Sequence, residues 1–360
     1  MDHGLRRARL AERLSALDLD ALIVTRLPNV RYLTGFTGSN GQLVVARDGS
    51  GAFLTDGRYT EQASHEVPGV PVTEYREGYP QPLIDACRTL GASRVGFERR
   101  GLTYGAWERL TELAEGLELA PAEEEVERLR RVKDAEEVSL IARAQGFADD
   151  AFEKVVLNGG LRESVTERVL ARELEDAMLD AGADDRAFDS IVAFGEGAAE
   201  PHHDPTDRRL ASGDVVKLDF GALAGGYHSD MTRTVAFGEP DPRLHEIRDL
   251  VAAAQRAGVE AVRPGASSAE VDAAARGVID EAGYADAFPH GLGHGVGLEI
   301  HEDPFLRWDI GEELEVGTVV TIEPGVYIPG LGGVRIEDMV EVTADGCREI
   351  PRSTKELIVP

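Results

Sequence analysis

Gly213-Asp-Val-Val-Lys-Leu-Asp-Phe-Gly221 and Gly317-Thr-Val-Val-Thr-Ile-Glu-Pro-Gly325 lie 104 residues apart and share one pattern: a turn glycine, a short apolar run, an acid and a second glycine. The match sets Asp219 on Glu323 and Gly221 on Gly325, and it extends outward. Downstream, Ser229-Asp230-Met-Thr matches Ile336-Glu337-Asp-Met. Upstream, each copy has a Ser-x-x-Glu pair, Ser164 to Glu167 and Ser267 to Glu270, which reads as a capping box opening a helix. A glycine, Gly182 or Gly283, stands where each helix should end. One short match arises by chance. A capping box, a strand and two acids recurring in order argue instead for two similar α/β halves, each carrying carboxylates at the same two positions.

In the strand Val215–Asp219, alternation puts Val215 and Lys217 on the face of Asp219, and Val216 and Leu218 on the other. An acid ending so apolar a strand is costly to bury alone, so it calls for a metal ion, an arginine or backbone N–H groups. Four such acids change the balance: Asp219, Asp230, Glu323 and Glu337 occupy repeat-related positions. Between the two pairs runs His290-Gly-Leu-Gly-His294-Gly-Val-Gly-Leu-Glu-Ile-His301. Four carboxylates and one imidazole carry the charge that two divalent cations neutralise. Ligation by oxygens with a single nitrogen favours Mn²⁺, with Co²⁺ or Zn²⁺ as alternatives. Two such ions hold a water that is nucleophilic near neutral pH, with Glu323 or Glu337 able to bridge them and receive its proton. The glycines at 291–297 lack GxGxxG spacing and a strand-to-helix setting, so they read as letting the backbone pass close to the cluster.

The remaining sequence sets the frame. A length of 360 residues suits two domains. Helical spacing at Leu10, Leu14 and Leu17, strand-like runs at Ala21–Val24, Leu43–Ala46, Ala52–Thr55 and Arg94–Phe97, and a helical pattern near Leu83–Leu90 predict an N-terminal α/β domain. The Pro- and Glu-rich stretch Pro121–Glu127 reads as a boundary, giving domains 1–124 and 125–360, and a long helix is expected from Ala135 to Leu157. The 66 acidic against 38 basic residues leave a net charge of −28, which repels nucleic acid and anionic lipid. Hydrophobic content of 42% excludes a disordered acidic chain. No apolar run approaches the roughly 20 residues of a membrane span. The start Met-Asp-His-Gly has no secretory apolar core, and two distant cysteines, Cys87 and Cys347, suit a reducing compartment. The expectation is a cytoplasmic protein.

The order Leu-Asp219-Phe-Gly, Ser-Asp230-Met-Thr, Gly-His294-Gly-Val-Gly, Thr-Ile-Glu323-Pro-Gly and Val-Arg-Ile-Glu337-Asp resembles the five-ligand pattern of the pita-bread metallopeptidases, the family of aminopeptidase P, prolidase and methionine aminopeptidase. The resemblance implies an N-terminal creatinase/prolidase-type mixed-sheet domain and a C-terminal pita-bread domain of two pseudo-twofold halves. It implies Asp219, Asp230, His294, Glu323 and Glu337 as metal ligands, with Glu323 also the general base. His202, 17 residues before Asp219, and His301, seven after His294, match catalytic histidines of the Xaa-Pro-cleaving branch. His290 matches the histidine beside the proline pocket. His203 takes the place of His202 if the register is off by one. Arg335, in a nest of acids, is expected to orient a ligand carboxylate and not to touch substrate.

Asn29-Val-Arg-Tyr32-Leu-Thr-Gly-Phe-Thr-Gly-Ser and Thr55-Asp-Gly-Arg58-Tyr59 resemble the N-terminal domain of two-domain Xaa-Pro peptidases and creatinase, which leaves open a role for Tyr32, Arg58 and Tyr59 at an active site. The layout leans towards an aminopeptidase P-like enzyme acting on proline-containing peptides. A prolidase restricted to dipeptides, and a non-catalytic peptide- or protein-binding member, are the alternatives. The family also implies a homodimer.

Overall fold

A computed structural model describes residues 1–76 and 79–357. The chain divides into two compact units, Met1–Arg130 and Arg131–Pro360.

In the first unit, β1 (Ala21–Val24), β2 (Gln42–Ala46), β3 (Gly51–Asp56), β4 (Val72–Tyr75), β5 (Arg94–Glu98) and β6 (Glu118–Ala122) form one sheet in the order β4-β3-β2-β1-β5-β6. β1, β2 and β3 pair antiparallel, while β3/β4, β1/β5 and β5/β6 are parallel, so the sheet is mixed. The unbroken apolar run of β1 fits its central place, where every residue is buried. The stretch 121–127 joins a strand to a helix. Pro121 lies on the edge strand β6, where a missing N–H is tolerated, and Glu125 opens the helix Glu125–Arg130.

In the second unit the repeat becomes visible as topology. β7 (Asp185–Arg186) precedes β8 (Ile191–Phe194) and β9 (Asp214–Phe220). β9 pairs antiparallel with β12 (Met231–Phe237), and the ribbon of β10 (Ala222–Ala224) and β11 (Tyr227–His228) bridges them. The second half repeats this plan. β13 (Gly293–Gly295), β14 (Glu302–Leu306) and β15 (Val319–Ile322) lead to the ribbon of β16 (Gly325–Ile328) and β17 (Gly332–Arg335). β15 then pairs antiparallel with β18 (Asp338–Thr343), and β19 (Gly346–Glu349) closes the sheet. Both faces of β9 are covered: Val215 enters one apolar cluster with Val320 and Ile322, and Val216 and Leu218 enter another with Leu170 and Leu174.

The helix Ser268–Glu281 opens as expected: the Ser267 N–H donates to the Glu270 carboxylate at 3.2 Å, and Gly283 (φ 85°) follows its end. The other helix, Glu167–Ala181, corrects the expectation. Thr166, not Ser164, is its cap, accepting from the Val169 N–H at 3.3 Å. Glu167 therefore falls at the first helical position and turns its carboxylate inward. The long helix runs Ala135–Phe152 and continues as wider turns over Glu153–Gly160. Among the described residues, no helix is long and apolar enough to cross a membrane.

Candidate active site

The four repeat-related acids stand at equivalent ends of the two strand pairs. Asp219 is near the end of β9 and Glu323 just follows β15; Asp230 and Glu337 immediately precede β12 and β18. His294 enters from β13, which pairs with both β14 and β15. Glycine at 293 is obligatory here, since a Cβ would lie 2.0 Å from the Thr321 carbonyl oxygen. The glycine run thus lets one backbone lie against the next.

Asp230, His294 and Glu337 each offer one ligand atom, all within 4.8 Å of one another. His294 Nδ1 lies 3.0 Å from the Gly295 carbonyl, which can only accept, so Nδ1 carries the proton and Nε2 keeps its lone pair. Nε2 faces the Asp230 carboxylate at 3.6 Å and the Glu323 carboxylate at 3.5 Å. Burial, and next the neighbouring His301, pull His294 down to about 3, so no imidazolium offsets those acids. No N–H of His294 therefore points at those acids, and among the described residues Asp219 Oδ1 is buried with no hydrogen-bond partner. Burial and then mutual repulsion raise Asp230 and Glu337 well above the usual carboxylate range, and burial pushes Glu323 up to about 8. These features fit a donor set built around cations and are hard to reconcile with self-sufficient hydrogen bonding.

Uncharged donors and one arginine fix the acids. Thr232 Oγ1 donates to Glu337 at 2.6 Å, and Thr321 Oγ1 donates to Glu323 at 3.2 Å while accepting from the His294 N–H at 3.0 Å. Arg335 ion-pairs with Asp219 Oδ2 and donates to Thr232 Oγ1 at 3.0 Å and to the Tyr327 hydroxyl at 2.8 Å. The Tyr327 hydroxyl in turn lies 2.9 Å from His290 Nε2. His290 Nδ1 donates to the Gly291 carbonyl at 2.8 Å, so Nε2 accepts from Tyr327. Tyr327 is a residue that sequence reasoning missed; two residues past the Glu-Pro-Gly turn, it carries no pattern of its own.

One cavity of about 470 Å³ is lined by every candidate residue: His202, Asp219, Asp230, His290, His294, His301, Glu323, Arg335 and Glu337. Phe188, Ile191, Ile300 and Phe305 give it an apolar wall. The His301 and His294 rings meet edge-on at 4.3 Å between centroids. His203 also borders the cavity, but its two nitrogens are engaged by Glu167 at 3.0 Å and Glu200 at 2.7 Å. Tyr32, Arg58 and Tyr59 have contacts within the N-terminal unit. Tyr32 is buried and donates to the Leu129 carbonyl at 3.2 Å, Arg58 forks on Asp56, and Tyr59 meets Ser39.

Residues 139–344 match the metallopeptidase family M24, and residues 6–132 match the creatinase/prolidase N-terminal domain. The chain belongs to metallopeptidase family M24. The fold is accordingly the pita-bread fold of that family, and this M24 chain is an enzyme. It is 43% identical over 351 residues to the uncharacterized peptidase YqhT of Bacillus subtilis (strain 168), covering 98% of this chain and 99% of that protein. The solved Xaa-Pro dipeptidase from Bacillus anthracis superposes with a TM-score of 0.96 at 38% identity, covering 100% of both chains. The solved X-Pro aminopeptidase from Thermotoga maritima MSB8 gives 0.88 at 32% identity, covering 97% of this M24 chain and 100% of its own.

Proposed function

We propose that this M24 metallopeptidase hydrolyses the bond between an N-terminal residue and a following proline. The carrying observation is the single cavity in which a cation-fitting acid cluster meets His202, His290 and His301 against an apolar wall. Asp219, Asp230, His294, Glu323 and Glu337 would hold two divalent cations, with Mn²⁺ favoured by the oxygen-rich donors and Co²⁺ or Zn²⁺ as alternatives. When bound, such ions supply Lewis acidity and a water made acidic enough to attack near neutral pH.

The chain's own groups then divide the work. Glu323 accepts the proton of the attacking water, its carboxylate aimed by Thr321. His202 and His301 hydrogen-bond the oxygen on which charge develops and deliver a proton to the departing proline nitrogen. That nitrogen belongs to a tertiary amide with no N–H, so the pocket must recognise a ring, not a donor. His290 suits this: Tyr327 occupies its Nε2, and the ring edge against Phe288, 5.0 Å between centroids, presents an apolar border. Arg335 holds Asp219 and does not touch substrate in this scheme.

The names of the structural relatives favour Xaa-Pro dipeptides as substrates, which moves the reading away from the aminopeptidase P-like lean of the sequence. An enzyme that opens past proline is the second reading, supported by the likeness to the Thermotoga aminopeptidase. Cleavage of an Xaa-Pro dipeptide against an Xaa-Pro-Yaa tripeptide by the metal-loaded protein decides between them, and cleavage of neither removes both. Glu323→Gln is expected to abolish turnover with the fold intact; retained turnover overturns the mechanism. The same family reading gives a homodimer, which sedimentation velocity of the purified chain checks.

A further inference from the structure

Lys217 sits in the middle of β9 with none of its surface exposed. A lysine so buried usually meets a carboxylate; here, among the described residues, none lies within ion-pairing distance. Its Nζ instead donates to three backbone carbonyls of one short segment: Ala198 at 3.3 Å, Pro201 at 3.2 Å, and Glu200. Three carbonyls of one short segment thus converge on a single amino group. The Pro201 carbonyl also accepts from Arg335 at 3.2 Å. His202, the next residue, lines the cavity. The segment that delivers His202 is therefore bolted from beneath to the same strand that carries Asp219.

The repeat supplies an independent argument. Lys217 aligns with Thr321, and Thr321 accepts from the backbone N–H of His294 while donating to Glu323. In the second half the partner segment is the adjacent strand, within reach of a short hydroxyl. In the first half the segment lies farther off, and only a long side chain spans the gap. Position for position, both residues tie an acid-bearing strand to a histidine-bearing segment.

We infer that Lys217 is a positioning residue that fixes His202 against the substrate. This rests on the reading of His202 as a group that touches the reacting carbonyl. A shift of about 1 Å in such a group lowers turnover on the order of 10²-fold. The test is a double-mutant cycle on the metal-loaded full chain with an Xaa-Pro dipeptide. Lys217→Met is expected to lower kcat by about that factor, with little change in KM, metal content or melting temperature. In a His202→Ala background it is expected to have almost no further effect, because the group it positions is gone. Losses that multiply overturn the inference while leaving His202 in its role. A His202→Ala variant with unchanged turnover overturns the reading of His202 and the inference together. Lys217→Arg keeps the cation on a longer stem and carries the same cycle if the methionine variant does not fold.

Discussion

The two halves of the catalytic unit share their acids and differ in what holds them. Asp219 in the first half is paired with a cation, Arg335, that comes from β17 in the second half. Glu323, its counterpart, receives the Thr321 hydroxyl and, among the described residues, ion-pairs with no arginine or lysine. The symmetry of the repeat is thus broken in chemistry. The Arg335 guanidinium gives Asp219 a full counter-charge. An acid left with a hydroxyl in a buried, acidic setting is pushed up to about 8, and such a group exchanges protons near neutral pH. The asymmetry is consistent with the proposal that the base lies in the second half.

Substituting the paired acids breaks this comparison most sharply. Asp219→Asn and Glu323→Gln should both lower turnover on the order of 10³-fold or more, but they should part in stability. Asparagine leaves Arg335 buried without its main counter-charge, a loss of about 3 kcal/mol in urea unfolding of the metal-free protein. Glutamine relieves repulsion and should leave the metal-free protein at least as stable as the parent. Equal destabilisation by the two would show that the acids are held alike. Next in size is metal removal. If cations offset the repulsion among the acids, chelation should lower the melting temperature by roughly 5 °C. It should also speed hydrogen exchange at the ends of β9, β12, β15 and β18 more than in β1 or β2. No change after verified removal would mean the acids are satisfied without metal.

A second contrast lies in the helix of each half. In the second half, Asp272 holds Arg276 by two bonds of 2.8 and 2.9 Å. Arg276 in turn donates to the Phe288 carbonyl at 3.0 Å and the His290 carbonyl at 2.7 Å. Arg276→Ala should therefore raise KM for the proline substrate. It should also destabilise by about 2 kcal/mol, since Asp272 keeps only the Leu292 N–H. An unchanged KM would separate the His290 segment from substrate binding.

The four clustered acids were legible in sequence because a repeat announces itself at strand ends, where alternation and apolar runs stop at a charge. Strand β1 was legible for a related reason, being a continuous apolar run. What stayed hidden depends on reach across the fold. Tyr327 joins Arg335 to His290, Lys217 meets a segment 16 to 19 residues upstream, and neither carries a local pattern. Glu167 misled for a related reason. Ser164 and Glu167 have capping-box spacing, but tertiary partners outbid the local bond, and the carboxylate takes Thr206 and His203 instead. That same carboxylate engages His203, a contact that no one-residue register argument could foresee.

Glu167 also sets the last and smallest test, because its partner titrates and that of Asp272 does not. Burial opposes charge on His203, but the hydrogen bonds to Glu167 and Glu200 outweigh it and raise the imidazole above its ordinary value. Burial likewise opposes ionisation of Glu167, and the bonds from Thr206 and His203 outweigh it and lower the carboxyl. A raised histidine stabilises fully below its unfolded value of about 6.5, and that contribution fades as pH rises through the folded value. A lowered carboxylate stabilises above its unfolded value of about 4.3, fading only as pH falls through its folded one. The pair is thus strongest between those two values. His203→Gln should cost about 1 kcal/mol in urea unfolding at pH 6 and less at pH 8.5. The cost of Arg276→Ala should be the same at both, because arginine keeps its charge throughout. A His203→Gln effect that does not change with pH would mean that the first half is anchored by neutral hydrogen bonds, and that the two helices hold their histidine segments in the same way.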